Sequence, residues 1–123
     1  MAIARLGAIA LDSDDPKRLA GFYRELLDLE VLVESEELVA LRARGVMITF
    51  ERVENYRPPD WPGDSVPKQL HLDLFVEDLD AAEAAALAIE ASKPATQPKP
   101  DEWRVLLDPA GHPFCLVVPE TTG

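Results

Sequence analysis

An α+β fold, with two βαβββ modules in tandem forming a curved sheet around a cleft, is predicted by three features of this 123-residue sequence. One amphipathic helix near the N-terminus begins at an acidic corner that ends in proline. A strictly alternating strand in mid-chain runs into a second acidic corner. The two corners, and the two closing strands, are separated by nearly the same number of residues.

Ile3–Leu11 is apolar apart from Arg5 and reads as the first strand, slim at Gly7 and Ala8. Asp14 and Asp15 offer an N-cap, and Pro16 suits the first helical position because its missing N–H is unpaired there in any case. Leu19, Phe22, Tyr23, Leu26 and Leu27 then recur at helical spacing, so one face of a helix ending near Leu29 is apolar. Three short extended runs follow, Glu30–Glu34, Leu38–Arg42 and Val46–Val53, with turns at Ser35–Glu37 and Ala43–Gly45. Between Asn55 and Pro67, the prolines Pro58, Pro59, Pro62 and Pro67 surround Trp61 and Gly63. Without their N–H groups this stretch cannot join a ladder, and it reads as a linker or lid.

Beyond it the plan repeats. Leu70, Leu72, Leu74 and Val76 fall on one face of a strand over Gln69–Val76, and Gln69, His71, Asp73 and Phe75 on the other. Asp78 or Asp80 caps an alanine-rich helix running to about Ala91 and anchored by Leu79, Leu87 and Ile89. An extended piece at Pro94–Pro98, a strand at Trp103–Leu107, a turn at Asp108–Gly111 and a last strand at Phe114–Val118 complete the second module. The corners starting at Ser13 and Val76 lie 63 positions apart, and Ile48-Thr49-Phe50 lies 66 from Phe114-Cys115-Leu116. So small a discrepancy between repeats is the mark of a duplicated unit. The chain therefore divides into module one (1–54), linker (55–68), module two (69–118) and a loose tail (119–123), together one domain.

The formal charge is −11, and the twelve basic residues are dispersed among acids. Nucleic acid and anionic membrane surfaces are excluded as partners, since both need a basic patch. A cationic ligand would be favoured, although a solvated acidic surface accounts for most of the charge. Cys115 is the single cysteine, so no intrachain disulfide forms. No run approaches the length of a membrane span. The N-terminal apolar stretch lacks a cleavage pattern, and the expected location is the cytoplasm.

Several segments resemble the vicinal oxygen chelate superfamily of glyoxalase I, extradiol dioxygenases, fosfomycin-resistance enzymes and bleomycin-resistance proteins. They are Asp15-Pro16, Phe22-Tyr23-Arg24-Glu25-Leu26-Leu27, Leu70-His71-Leu72-Asp73, Val76–Ala82 and Asp108-Pro109-Ala110-Gly111-His112-Pro113-Phe114-Cys115-Leu116. The resemblance, narrowest to glyoxalase-like bacterial proteins, implies the doubled module, a homodimer, and one divalent metal held from the first and last strand of each module. Mapped onto this chain, the ligand positions fall on Ala8, Thr49, His71 and Cys115. Ala8 has no donor, Thr49 is a poor one, and Cys115 stands where the resemblance implies glutamate. A complete metal site is therefore not expected; if a metal binds, His71 holds it with Glu51 or Cys115, and Asp73 is a further nearby donor.

Among single residues, His71 is the strongest candidate, because an imidazole can bind a ligand, move a proton or hold a metal. A hydrogen bond to Asp73 or backbone is its structural alternative. Trp61, on a proline-stiffened loop, suits a lid, a dimer contact or a plug under the linker. Trp103 is expected to pack inward, with the cleft face as its alternative, His112 to serve a turn, and Cys115 to be an unreactive buried thiol. The expected function is binding of a small molecule by His71, Asp73, Phe75, Thr49, Glu51, Trp61 and Cys115, without cofactor. The alternative is a lyase or isomerase using a divalent metal, or His71 as acid and base.

Overall fold

The computed structural model describes residues 2–61, 63 and 65–119. Met1, Pro62, Asp64 and residues 120–123 of the expected tail lie outside the described residues. Among the described residues, seven strands and two helices divide between two compact units, Met1–Tyr56 and Arg57–Gly123.

The first unit contains β1 (Ala8–Ser13), α1 (Pro16–Leu27), β2 (Glu30–Glu34), β3 (Leu38–Arg42) and β4 (Met47–Arg52). Its sheet runs β1-β4-β3-β2, with β1 parallel to β4 and the other neighbours antiparallel. Helix α1 starts where expected. The Asp15 side chain accepts from Arg18 N at 3.2 Å, and the Ser13 hydroxyl accepts from Asp15 N at 2.8 Å. The helix stops at Leu27, short of Leu29, because Asp28 turns into the left-handed region at φ 54. Packing against all four strands, α1 buries Leu19, Phe22 and Tyr23 over Val39, Leu41, Ile48 and Phe50. The Tyr23 and Phe50 rings stack at 5.6 Å, and Phe22 meets Tyr23 edge-on at 5.0 Å.

The first strand is shifted from its expected place. Ile3 and Leu6 are exposed, and pairing begins at Ala8, opposite Met47, where its partner strand begins. Period two then sends Leu11 and Ser13 toward the helix, and Ala8, Ala10 and Asp12 to the opposite face.

The second unit contains β5 (Leu72–Phe75), α2 (Leu79–Ala88), β6 (Trp103–Leu107) and β7 (Pro113–Val117), in a sheet ordered β5-β7-β6. Asp78, one of the two expected caps, accepts from Ala81 N at 3.1 Å. Helix α2 ends three residues short of Ala91 and packs on β6 and β7. It buries Ala86, whereas Leu87, expected as an anchor, is exposed. Under the helix this unit buries Ala86, Leu106, Phe114 and Leu116, while Val105 is buried on the other face of the sheet.

The extended piece at Pro94–Pro98 does not become a strand, so this sheet has three strands where four were expected. Its prolines remove ladder donors, and a single bridge, Ser92 with Leu107, stands in the fourth strand's place. The Gln97 side chain supplies the pairing that the backbone cannot. Its Oε1 accepts from Val105 N at 2.9 Å, and its Nε2 donates to Val105 O at 2.8 Å. One amide thus satisfies both polar groups of an edge residue. Among the described residues, no helix is long and apolar enough to cross a membrane, and no buried side-chain polar atom lacks a hydrogen-bond partner.

Candidate functional site

The site grows from strand period and register. His71 lies immediately before β5 and Asp73 on it, so two-residue alternation places both side chains on one face. The β5 strand pairs in parallel with β7, which sets Asp73 against Cys115. Antiparallel β6 then sets Val105 against Cys115 and Trp103 against Val117. A row of Asp73, Cys115 and Val105 crosses the sheet on the face turned away from Leu106, Phe114 and Leu116.

Above this row lies a cavity of about 500 Å³. Trp103, Val105, Pro113 and Val117 form its apolar floor and side, Pro98 adds a wall, and Trp61 and Lys68 enter from the segment preceding β5. The expected site residues Trp61, His71, Asp73 and Cys115 are therefore brought together. Phe75 shares their face of β5 but lies past the cavity, 73% exposed. Thr49 and Glu51 sit on β4 of the first unit. Sequence reasoning missed Lys68, which sits in a stretch without periodicity. Trp103 takes the cleft-facing alternative rather than packing inward, because Trp103 and Val105 alternate onto the face shared by Asp73 and Cys115.

Trp61 is held by local bonds. Asp60 N donates to Val66 O at 2.7 Å, the Ser65 hydroxyl donates to Asp60 Oδ2 at 2.6 Å, and Lys68 Nζ lies 6.0 Å from the Trp61 ring centre. The stem of this segment rests on the β6–β7 turn. Gly111 has φ +88, and a Cβ there would come 2.7 Å from Pro58 Cβ, so the position needs glycine for conformation and for space. The same turn explains Asp108 and His112. Asp108 is buried, and its Oδ1 accepts from Ala110 N at 2.9 Å and His112 N at 3.0 Å. These residues hold a turn, as the sequence led one to expect for His112.

At the polar end of the cavity, His71 Nε2 is 3.2 Å from Asp73 Oδ1. Burial pushes the Cys115 thiol above its ordinary pKa, and the Asp73 carboxylate pushes it further, with Lys68 opposing. The free thiol is thus held protonated and is a weak nucleophile. Donor atoms of His71, Asp73 and Cys115 all lie within 4.8 Å of one another. Imidazole nitrogen, carboxylate oxygen and sulfur form a three-donor set that fits a divalent metal of borderline softness. Ala8, at the equivalent place in the first unit, offers no donor.

The model of the glyoxalase-like domain family matches residues 8–117. Among solved structures, lactoylglutathione lyase from Agrobacterium tumefaciens is 19% identical with TM-score 0.64, covering 96% of each chain. A glyoxalase-related enzyme from Fulvimarina pelagi is 17% identical with TM-score 0.69, over 95% of this chain and 89% of that one. A mutant of the fosfomycin resistance protein of Listeria monocytogenes, complexed with Mn(II) and a dihydroxypropylphosphonic acid, is 15% identical with TM-score 0.69, over 98% and 93%. At these identities the likeness shows the fold. No curated protein matches the sequence.

Proposed function

The chain belongs to the glyoxalase-like domain family, and from that premise we propose that its second unit binds a small organic molecule in the cavity beneath Trp61. The observation that carries this reading is the convergence of both tryptophans of the chain on one cavity with Lys68, His71 and Asp73. Flat aromatic walls with a few fixed polar groups are the usual make-up of a small-molecule site. The ligand expected is planar and partly apolar, with a polar group that reaches His71 and Asp73. Bleomycin-resistance proteins, which sequester a drug without transforming it, are the precedent that the resemblance supplies.

Because the chain has no other tryptophan, tryptophan emission excited selectively over tyrosine reports on this site alone. Titration with a panel of planar aromatic compounds should quench it saturably, and Asp73→Asn should weaken the tightest binder. If no compound gives saturable quenching, the reading is wrong.

The His71–Asp73 pair at 3.2 Å favours one second reading, a lyase or isomerase with His71 as acid and base. Turnover of an added carbonyl compound, lost in His71→Gln, would establish it over pure binding. We also retain the homodimer as a proposal. Leu70 and Phe75, exposed at the β5 edge, support it, and light scattering on the purified protein tests it.

A further inference from the structure

We propose that Lys68 makes the cavity selective for aromatic acids, flat ligands whose carboxylate pairs with the Lys68 ammonium while the ring lies against the tryptophans. This deepens the binding reading above, on which it rests, by naming the chemical class of the ligand. The carboxylate is a second polar group, beside the one that faces His71 and Asp73.

The observation is a cation left over in an acidic chain. Of the four lysines, Lys17 pairs with Glu36 at 2.8 Å, Lys93 with Glu83 at 3.0 Å and Lys99 with Glu102 at 3.7 Å. Lys68 has no ion-pair partner among the described residues, although the chain carries 23 acids against 12 bases. It is half-buried and lines the cavity with Trp61. Local structure puts it there. Asp60 N donates to Val66 O and the Ser65 hydroxyl to Asp60 Oδ2, so Trp61 and Lys68 reach the cavity from the two sides of one closed loop. Lys68 Nζ lies 6.0 Å from the Trp61 ring centre, where the negative face of the ring attracts it.

The carboxylate of the cavity lining does not answer this charge. It belongs to Asp73, and His71 Nε2 already stands 3.2 Å from its Oδ1. An anion that enters beside Lys68 gains a charge-assisted contact in a partly dried space, and a cation there is repelled. The whole-chain charge of −11 favours cations at long range, but salt screens it beyond about 8–10 Å, so the contact charge decides selectivity. Lysine meets a carboxylate as a point charge on a flexible stem, which demands no single ligand orientation. The apolar remainder of the lining, Trp61, Trp103, Pro98 and Val105 among it, suits the aromatic frame.

Calorimetric titration with β-naphthoate, β-naphthamide and β-naphthamidine tests the carboxylate alone, because the three share one ring system and are anionic, neutral and cationic at neutral pH. The naphthoate should bind at least about tenfold more tightly than the amide, the scale of one charge-assisted contact, and the amidine most weakly. Lys68→Met should erase that preference, and Lys68→Arg should keep it. Added salt should weaken naphthoate binding to the native chain and leave the Lys68→Met variant's binding unaffected. Equal affinity for the three, a preference for the amidine, or a preference that survives Lys68→Met overturns the inference and leaves an aromatic site standing. If none of the three binds, the inference falls, and the aromatic site stands or falls separately with the tryptophan quenching.

Discussion

The first unit sets Ala10 against Thr49 across its parallel strand pair, and the second sets Asp73 against Cys115 across its own. Two residues earlier, Ala8 and His71 correspond in the same way. Both units pair their first and last strands in parallel, but the side chains on the face away from the helix differ in kind. In the first unit that face starts with small, inert residues, and the helix side carries a stack of Phe22, Tyr23 and Phe50. In the second unit the helix side is thin, with α2 burying only Ala86, while the opposite face carries the cavity and all three metal-type donors. One copy of the repeat concentrates its aromatic packing under the helix, and the other carries polar side chains around a cavity on the opposite face. Residue choice on a single strand face, rather than the fold, separates them.

Core truncation should show the largest effect and break the comparison most easily. Phe50→Ala is expected to cost about 3–5 kcal/mol, since it removes a fully buried ring and its stacking partner's support. Urea denaturation measures this, with Leu87→Ala in the thinner second unit expected to change little because that side chain is exposed. If Leu87→Ala costs as much as Phe50→Ala, the contrast in packing is mistaken.

Next is Gly111→Ala, which places a Cβ against Pro58 in a left-handed conformation and should cost about 1–3 kcal/mol. Its sharper readout is Trp61. Loosening the Pro58 stem should make tryptophan fluorescence more accessible to acrylamide, although the substitution lies outside the cavity. An unchanged quenching constant would mean that Gly111 supports only its own turn.

Gln97→Ala should follow at about 1 kcal/mol, because Val105 loses side-chain partners for both its N–H and its C=O. Hydrogen exchange at Val105 N should accelerate while exchange in the first unit stays as it was. Equal acceleration at Val39 or Phe50 would contradict a role confined to the second sheet's edge.

The smallest effect on stability, and the most specific chemically, belongs to Asp73→Asn. The folded thiol of Cys115 sits above its ordinary pKa, so the protein holds that proton more tightly than the unfolded chain does. Stability from this source is present at neutral pH and falls as pH rises through the thiol's range. Removing the Asp73 charge lowers the thiol pKa, and alkylation of Cys115 by iodoacetamide at pH 8 should speed up. A slower or unchanged rate would show that burial alone sets the thiol's behaviour.

Much of this was legible in the residues, and the exceptions have physical causes. Helix α1 showed itself through five apolar positions at helical spacing, and β5 through strict alternation. His71 and Asp73 followed from that alternation, and Cys115 from the last-strand position that the family resemblance implies. The missing fourth strand was not legible, since extended proline-spaced backbone looks alike whether or not it pairs. A glutamine amide replacing a strand leaves no periodic trace. Lys68 was hidden for the same reason, in a segment shaped by local turns. Phe75 was over-assigned because alternation fixes the face of a strand and says nothing about where a cavity ends.

The central claim is that the second unit's open face is the working surface. Amide chemical-shift mapping tests it most directly, using the aromatic compound that quenches tryptophan best. The account predicts perturbations at Trp61, Lys68, His71, Asp73, Trp103 and Cys115, with the β4 amides around Phe50 unmoved. Shifts confined to residues 8–52 would contradict it.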